Sequence, residues 1–146
     1  MKLEVRLSPE YTEPTVLILA DRMTEELDRL LKRLSPGPEP PLLGFREGTA
    51  APLDEASITR IYAQSGQVLA MTDRGEYQMR QRLYELEERL AGVSFVRISN
   101  SELINLRRVR SFDLGITGTI CVRLTDGSTA WASRRYVSKI RTMLGL

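Results

Sequence analysis

Four prolines and one glycine fall within seven residues at positions 35–41, SPGPEPP. Proline locks φ and lacks an amide donor, so neither a helix nor a central strand can run through this segment. It reads as a semi-rigid linker. It separates a short extension, residues 1–41, from residues 42–146, which are long enough for one ordinary domain.

Within the extension, residues 2–7 alternate Leu3, Val5 and Leu7 with Lys2, Glu4 and Arg6, the pattern of a half-buried strand. Residues 15–20 are β-prone and predict a second strand. Asp21 stands where it would cap a helix, with Glu25 and Glu26 near the positive end. Met23, Leu27, Leu30, Leu31 and Leu34 form the apolar stripe of that helix. Two strands and one helix make a very small core. The stripe therefore packs on its own strands or serves self-association, and a dimerisation or regulatory role is open to it.

The second part is punctuated as short antiparallel strands. Residues 42–47 and 49–53 flank Gly48, and Ser65-Gly66 joins 57–64 to 67–72 as a tight hairpin. A turn at Asp73-Arg74-Gly75 leads into 76–79. Met79, Leu83, Leu86 and Leu90 then take up helical spacing, and Gly92 follows as a stop signal. Strands are expected at 109–114, after a turn at 115–118 at 119–124, and, beyond an Asp126-Gly127 hairpin, at 128–132. Trp131 is expected to anchor the sheet core and Cys121 to be a structural thiol on a strand face. A closing helix runs from Ser133 as cap through 134–144, burying Val137, Ile140 and Leu144 with help from Tyr136 and Met143.

Several chemistries are excluded by what the chain lacks. With no histidine there is no Ser-His or Cys-His pair and no phosphorelay acceptor. One cysteine allows no intrachain disulfide framework and fits a reducing cytoplasm. Acidic residues are scattered, no phosphate-binding glycine loop is present, and no metal, cofactor, catalytic group or small-molecule substrate is expected. Nor does the sequence hold a secretory signal or an apolar run able to span a bilayer. The expected location is cytoplasmic.

Charge is uneven. Residues 97–146 hold 9 Lys and Arg against 3 Asp and Glu, a balance of +6 within a chain of net +2. That suggests a polyanionic partner. Two stretches concentrate it. Residues 95–106, FVRISNSELINL, break an alternating pattern at Ser99-Asn100-Ser101 and continue into Arg107, Arg108 and Arg110. The second is Arg134-Arg135, which opens the last helix where Asp or Glu would suit the dipole better. A locally unfavourable choice marks a candidate functional site, here one for phosphate at a helix N-terminus.

Three ordered pieces resemble the LytTR family of bacterial DNA-binding domains: FVRISNSELINLRRV, the DG hairpin, and SRRYVSKI. The resemblance runs from about residue 42 to residue 146. It implies a mainly β fold (α+β overall), an elongated antiparallel β-sheet domain with two short helices, here preceded by the small β-β-α extension. It implies double-stranded DNA as partner, with loops entering successive major grooves, and a cytoplasmic transcriptional regulator acting as a homodimer on repeated half-sites. Carried over by position, Asn100 and Arg135 read bases. Gln67, at the shortened first hairpin, is the third base contact. Arg97, Ser99, Ser101, Arg107 and Arg134 meet phosphate. The chain resembles a subgroup that has a short extension in place of a receiver domain and for which a small membrane protein is a suspected partner.

Asn pairs with adenine N6/N7 and Arg forks onto guanine O6/N7, so the residue types suit that task. The competing reading is a protein-interaction module whose basic face meets a membrane or regulatory protein. A small hydrolase or transferase ranks last, for want of a catalytic constellation.

Overall fold

The computed structural model describes residues 1–34, 40–115 and 118–146. The linker residues 35–39, and 116–117 of the turn expected at 115–118, lie outside the described residues. The chain forms two compact units, Met1–Glu39 and Pro40–Leu146.

In the first unit the helix forms and the strands do not. Helix α1 spans Glu25–Leu34, with Glu25, Glu26 and Asp28 in its first turn and Lys32 and Arg33 in its last. Its cap is Thr24, not Asp21: the Thr24 hydroxyl accepts the Leu27 N–H at 3.1 Å. Neither the alternating residues 2–7 nor the β-prone run 15–20 meets a partner strand among the described residues, so neither forms a strand. Leu3 and Leu7 remain 90% and 93% exposed. A strand needs both a ladder partner and a cover for its apolar face, and the described residues of the extension supply neither.

The second unit is built on two antiparallel sheets. Strands β1 (Leu43–Arg46), β2 (Thr49–Pro52), β3 (Ile58–Gln64), β4 (Gln67–Thr72), β5 (Gly75–Met79), β6 (Phe95–Ser99) and β7 (Glu102–Asn105) form a sheet in the order β2-β1-β5-β4-β3-β7-β6. Strands β8 (Val109–Leu114), β9 (Ile120–Leu124) and β10 (Thr129–Ala132) form a second, with β9 central. Helix α2 (Leu83–Arg89) follows β5, and α3 (Arg134–Leu144) closes the chain from Ser133 as N-cap. Met79 ends β5 rather than starting the helix, because it pairs with Val68 of β4.

Two cores lie on opposite faces of the seven-stranded sheet. Leu103 joins Ile58, Ile61, Leu83, Leu86 and Leu90 on the α2 side. Its neighbour Ile104 joins Val96, Ile98, Ile120, Val122 and Ile140 on the side of the three-stranded sheet and α3. Successive strand residues point to opposite faces, so β7 is held by both cores.

Trp131 does not anchor the core. It is 63% exposed, while Ala130 and Ala132 on either side point inward. Period two puts the indole outside, on the face opposite Ala130 and Ala132. Cys121 is a buried free thiol.

One buried polar group joins these parts. Asn105 is 1% exposed. Its amide donates to the Ile58 carbonyl at 2.9 Å. Its Oδ1 accepts from the Ser94 hydroxyl and from the Arg107 N–H. Three of the four hydrogen-bonding positions of the side chain are used, tying β3, the entry to β6 and the exit of β7. Asn105→Ala strands these partners in a dry interior. We expect it to cost about 2–4 kcal/mol of stability, measured by urea unfolding of the full chain. A loss below the scatter of such measurements would remove Asn105 from this role.

Candidate nucleic-acid interface

The loop at residues 99–101 is shaped by the strand before it. The β6–β7 register shifts between Arg97 and Ser99, so Ile98 is an extra residue with no opposite number. Such a bulge bends its strand and releases its backbone from the ladder. The Ile98 side chain is fully buried. Its carbonyl accepts the Ser133 N–H at 2.9 Å, docking the start of α3 beside the loop.

Arg97 then fastens the loop from behind. Its Nε donates to the Ser99 carbonyl at 2.6 Å, and its two terminal nitrogens reach the Glu87 carboxylate and the Asn100 carbonyl. The side chain is only 14% exposed. A guanidinium spent this way is an internal clamp, which departs from the phosphate contact expected of Arg97. Ser99 and Ser101 are linked through their hydroxyls at 3.3 Å, and the Ser99 hydroxyl also accepts the Ser101 N–H.

Asn100 lies exposed at the tip, and its Oδ1 accepts the Tyr136 hydroxyl at 3.2 Å. Tyr136 directly follows Arg135. Asn100 and Arg135, 35 positions apart in sequence, are thus brought to one edge by a neighbour's side chain. Helical spacing alone sets Tyr136 with the buried stripe of the helix. The available signal was its phase: it stands one position off the Val137–Ile140–Leu144 stripe, where an amphipathic ring has an apolar body and a wet tip.

Arg134 and Arg135 are both exposed and have no hydrogen-bond or ion-pair partner among the described residues. The Ser133 side chain makes no cap bond, although its backbone is in the cap conformation. The first turn of α3 therefore combines open backbone donors with two free guanidinium groups.

The first hairpin reaches the same edge. The Ala63 N–H donates to the Ser101 carbonyl at 2.8 Å, and Tyr62 pairs with Glu102. The turn just beyond has positive φ at both central residues, 52° at Ser65 and 76° at Gly66, as a two-residue hairpin matching strand twist requires. Gln67 is exposed at its exit.

The structure does not bring Arg107 to this loop. It follows β7, which runs away from the tip, and lies roughly 10 Å of strand from it. Its neighbour Arg108 is bound inward, with two bonds to the Ala56 carbonyl and two to the Asp73 carboxylate. Of the basic run after the loop, Arg107 and Arg110 remain exposed.

Below the loop an ion pair braces β7 on β3. Arg60 Nη2 is 2.7 Å from Glu102 Oε2, with both side chains mostly buried. Burial pushes the Glu102 carboxyl above its ordinary range, and Arg60 pulls the other way. Arg60 also donates to the Thr129 carbonyl, connecting the seven-stranded sheet to β10. Beside it the Tyr62 hydroxyl donates to Glu76 at 2.7 Å. Burial first, and then that carboxylate, raises the phenol from 10.0 to about 12.

Two antiparallel sheets, two short helices and three chain segments meeting at one edge define a β scaffold that presents loops. The LytTr DNA-binding domain model matches residues 50–145, and the chain belongs to that family. It is a DNA-binding class rather than an enzyme class. Relatives named as uncharacterized HTH-type transcriptional regulators occur in Staphylococcus aureus. Those of strains MSSA476 and COL are each 26% identical over 147 residues, covering all of this chain and 99% of the relative. The LytTr DNA-binding domain of a Bacillus cereus methyl-accepting/DNA response regulator has the same fold. Its TM-score is 0.69 at 18% identity, covering 72% of this chain and 96% of that one. Despite the relatives' name, the described residues hold no two helices joined by a short turn.

The Tyr62–Glu76 contact supplies a probe of this edge. A tyrosine whose folded value lies above its unfolded one contributes stability that is complete below pH 10 and lost as pH rises through about 12. In an absorbance titration of tyrosinate, one component should appear near 12. Tyr62→Phe should delete it, and Glu76→Gln should move it down. A wild-type titration without that late component would contradict the contact.

Proposed function

We propose that this protein is a sequence-specific transcriptional regulator that reads the DNA major groove with loops and binds repeated half-sites as a dimer. The observation that carries this reading is the Tyr136–Asn100 hydrogen bond, which sets the exposed amide beside the exposed Arg135 in a member of a DNA-binding family. Asn100 and Arg135 are the base readers. Gln67 is the outer, third contact, on the hairpin joined to the loop through Ala63. Ser99, Ser101, Arg134 and, further along the strand, Arg107 meet phosphate. Arg97 acts through the loop as a positioning residue.

The hydrogen bond refines the chemistry at Asn100. With Oδ1 accepting from Tyr136, the Nδ2 hydrogens are the part of the amide offered outward. A donor in the major groove selects a base edge rich in acceptors, such as N7 and O6 of guanine or N7 of adenine. Arg135 forks onto guanine in the same way. The open N-terminus of α3 and Arg134 supply phosphate attraction, which falls steeply with salt.

Selecting bound sequences from random DNA, followed by titration at two salt concentrations, tests the reading. A recovered motif, with affinity that falls with salt, supports it. Binding that neither enriches a sequence nor weakens with salt removes it. On the recovered site, Asn100→Ala and Arg135→Ala should each cost about 1–3 kcal/mol and flatten base preference at one position. Tyr136→Phe should cost about 0.5–1.5 kcal/mol, with the fold unchanged by circular dichroism. Wild-type affinity in either alanine variant would count against that residue as a reader.

A further inference from the structure

Among the described residues, 16 large hydrophobic side chains are exposed, and nine of them lie in residues 1–23. No residue of α1 is buried. A unit so uncovered needs a second surface, and residues 2–7 carry a pattern that specifies one. Leu3, Val5 and Leu7 alternate with Lys2, Glu4 and Arg6. Glu4 and Arg6 already point the same way, with Nε 3.1 Å from Oε1 and both side chains well exposed. That is the same-face relation of residues two apart in a strand.

We infer that residues 2–7 pair antiparallel with the same segment of a second copy, about a two-fold axis at Val5. This deepens the dimeric reading above and rests on it. In that register Leu3 faces the second copy's Leu7 and Val5 faces its equivalent, giving one continuous apolar side. On the other side Glu4 faces Arg6 twice, once in each direction. Opposite charges directly across an antiparallel pair stabilise it, and like charges oppose it. A register centred on Glu4 sets Glu4 against Glu4 and Lys2 against Arg6. A one-residue slip sets apolar against charged residues throughout. A register centred on Leu3 pairs Lys2 with Glu4 but leaves Arg6 and Leu7 unused. Among these, the Val5 register alone sets apolar against apolar and Glu4 against Arg6 at every residue from 3 to 7. The Staphylococcus aureus relatives align across this extension as well as the DNA-binding domain.

The test is sedimentation of the full chain without DNA, so failure of DNA reading leaves it intact. Wild type should dimerise. Glu4→Arg and Arg6→Glu should each raise the dimer dissociation constant roughly tenfold or more, since both cross-strand pairs become repulsive. An equimolar mixture of these two variants should recover the dimer as a heterodimer, and the chain carrying both should return to near wild type. Val5→Cys should oxidise to a covalent dimer across the axis. Four outcomes overturn the inference: a monomeric wild type, a dimer indifferent to both reversals, a mixture that does not recover, or an effect of Glu4→Arg with none of Arg6→Glu, which marks the Leu3 register. A monomer that binds phosphatidylglycerol vesicles would assign the apolar face to lipid instead.

Discussion

The buried carboxamide of Asn105 is the joint on which the DNA-binding unit turns. It lies where β7 ends, and its three hydrogen bonds reach the start of β3, the residue before β6 and the turn after β7. Apolar contacts alone would leave the β6–β7 hairpin free to slide between its two cores, because Leu and Ile side chains tolerate small shifts. A buried amide does not, since each broken bond leaves a desolvated group. Register at Asn105 fixes register at Glu102, three residues earlier, and so fixes where the loop at 99–101 ends.

From that joint the candidate interface is built backwards, from support to tip. The bulge at Ile98 turns one carbonyl toward Ser133, and Arg97 ties down the carbonyls of Ser99 and Asn100. Tyr136 then takes one end of the Asn100 amide. The groups left facing outward include an amide donor, two guanidinium groups and the first turn of a helix. An ordered display of this kind limits the entropy lost on binding.

Much of the fold was legible in local patterns. Turn residues at Ser65-Gly66, Asp73–Gly75 and Asp126-Gly127, together with strict alternation between them, located the strands to within a residue or two. Such turns are local and carry their own geometry. The misreadings came where the outcome depended on partners distant in the chain or absent from it. Alternation at residues 2–7 is as clean as in β9, and residues 15–20 are as β-prone, yet β9 has β8 and β10 to pair with, and among the described residues the extension has no such neighbour. Trp131 was expected inside on hydrophobicity, but its phase relative to Ala130 and Ala132 put it outside. Asn105, a polar residue ending an apolar strand, gave no sign in its composition that it would be the buried hub.

Charge was the least transferable signal. The +6 balance of residues 97–146 counts Arg97 and Arg108 as equals of Arg134 and Arg135. In the folded chain the first two are occupied, one by Glu87 and the loop carbonyls, the other by Asp73 and the Ala56 carbonyl. Arg123 stands 3.8 Å from Asp113, an exposed pair that screens rather than removes its charge. What separates a structural arginine from a free one is whether acceptors converge on it, and these come from residues 2 to 52 positions away. Net charge therefore points to the class of partner. Only the hydrogen-bond map tells which arginines are left to meet it.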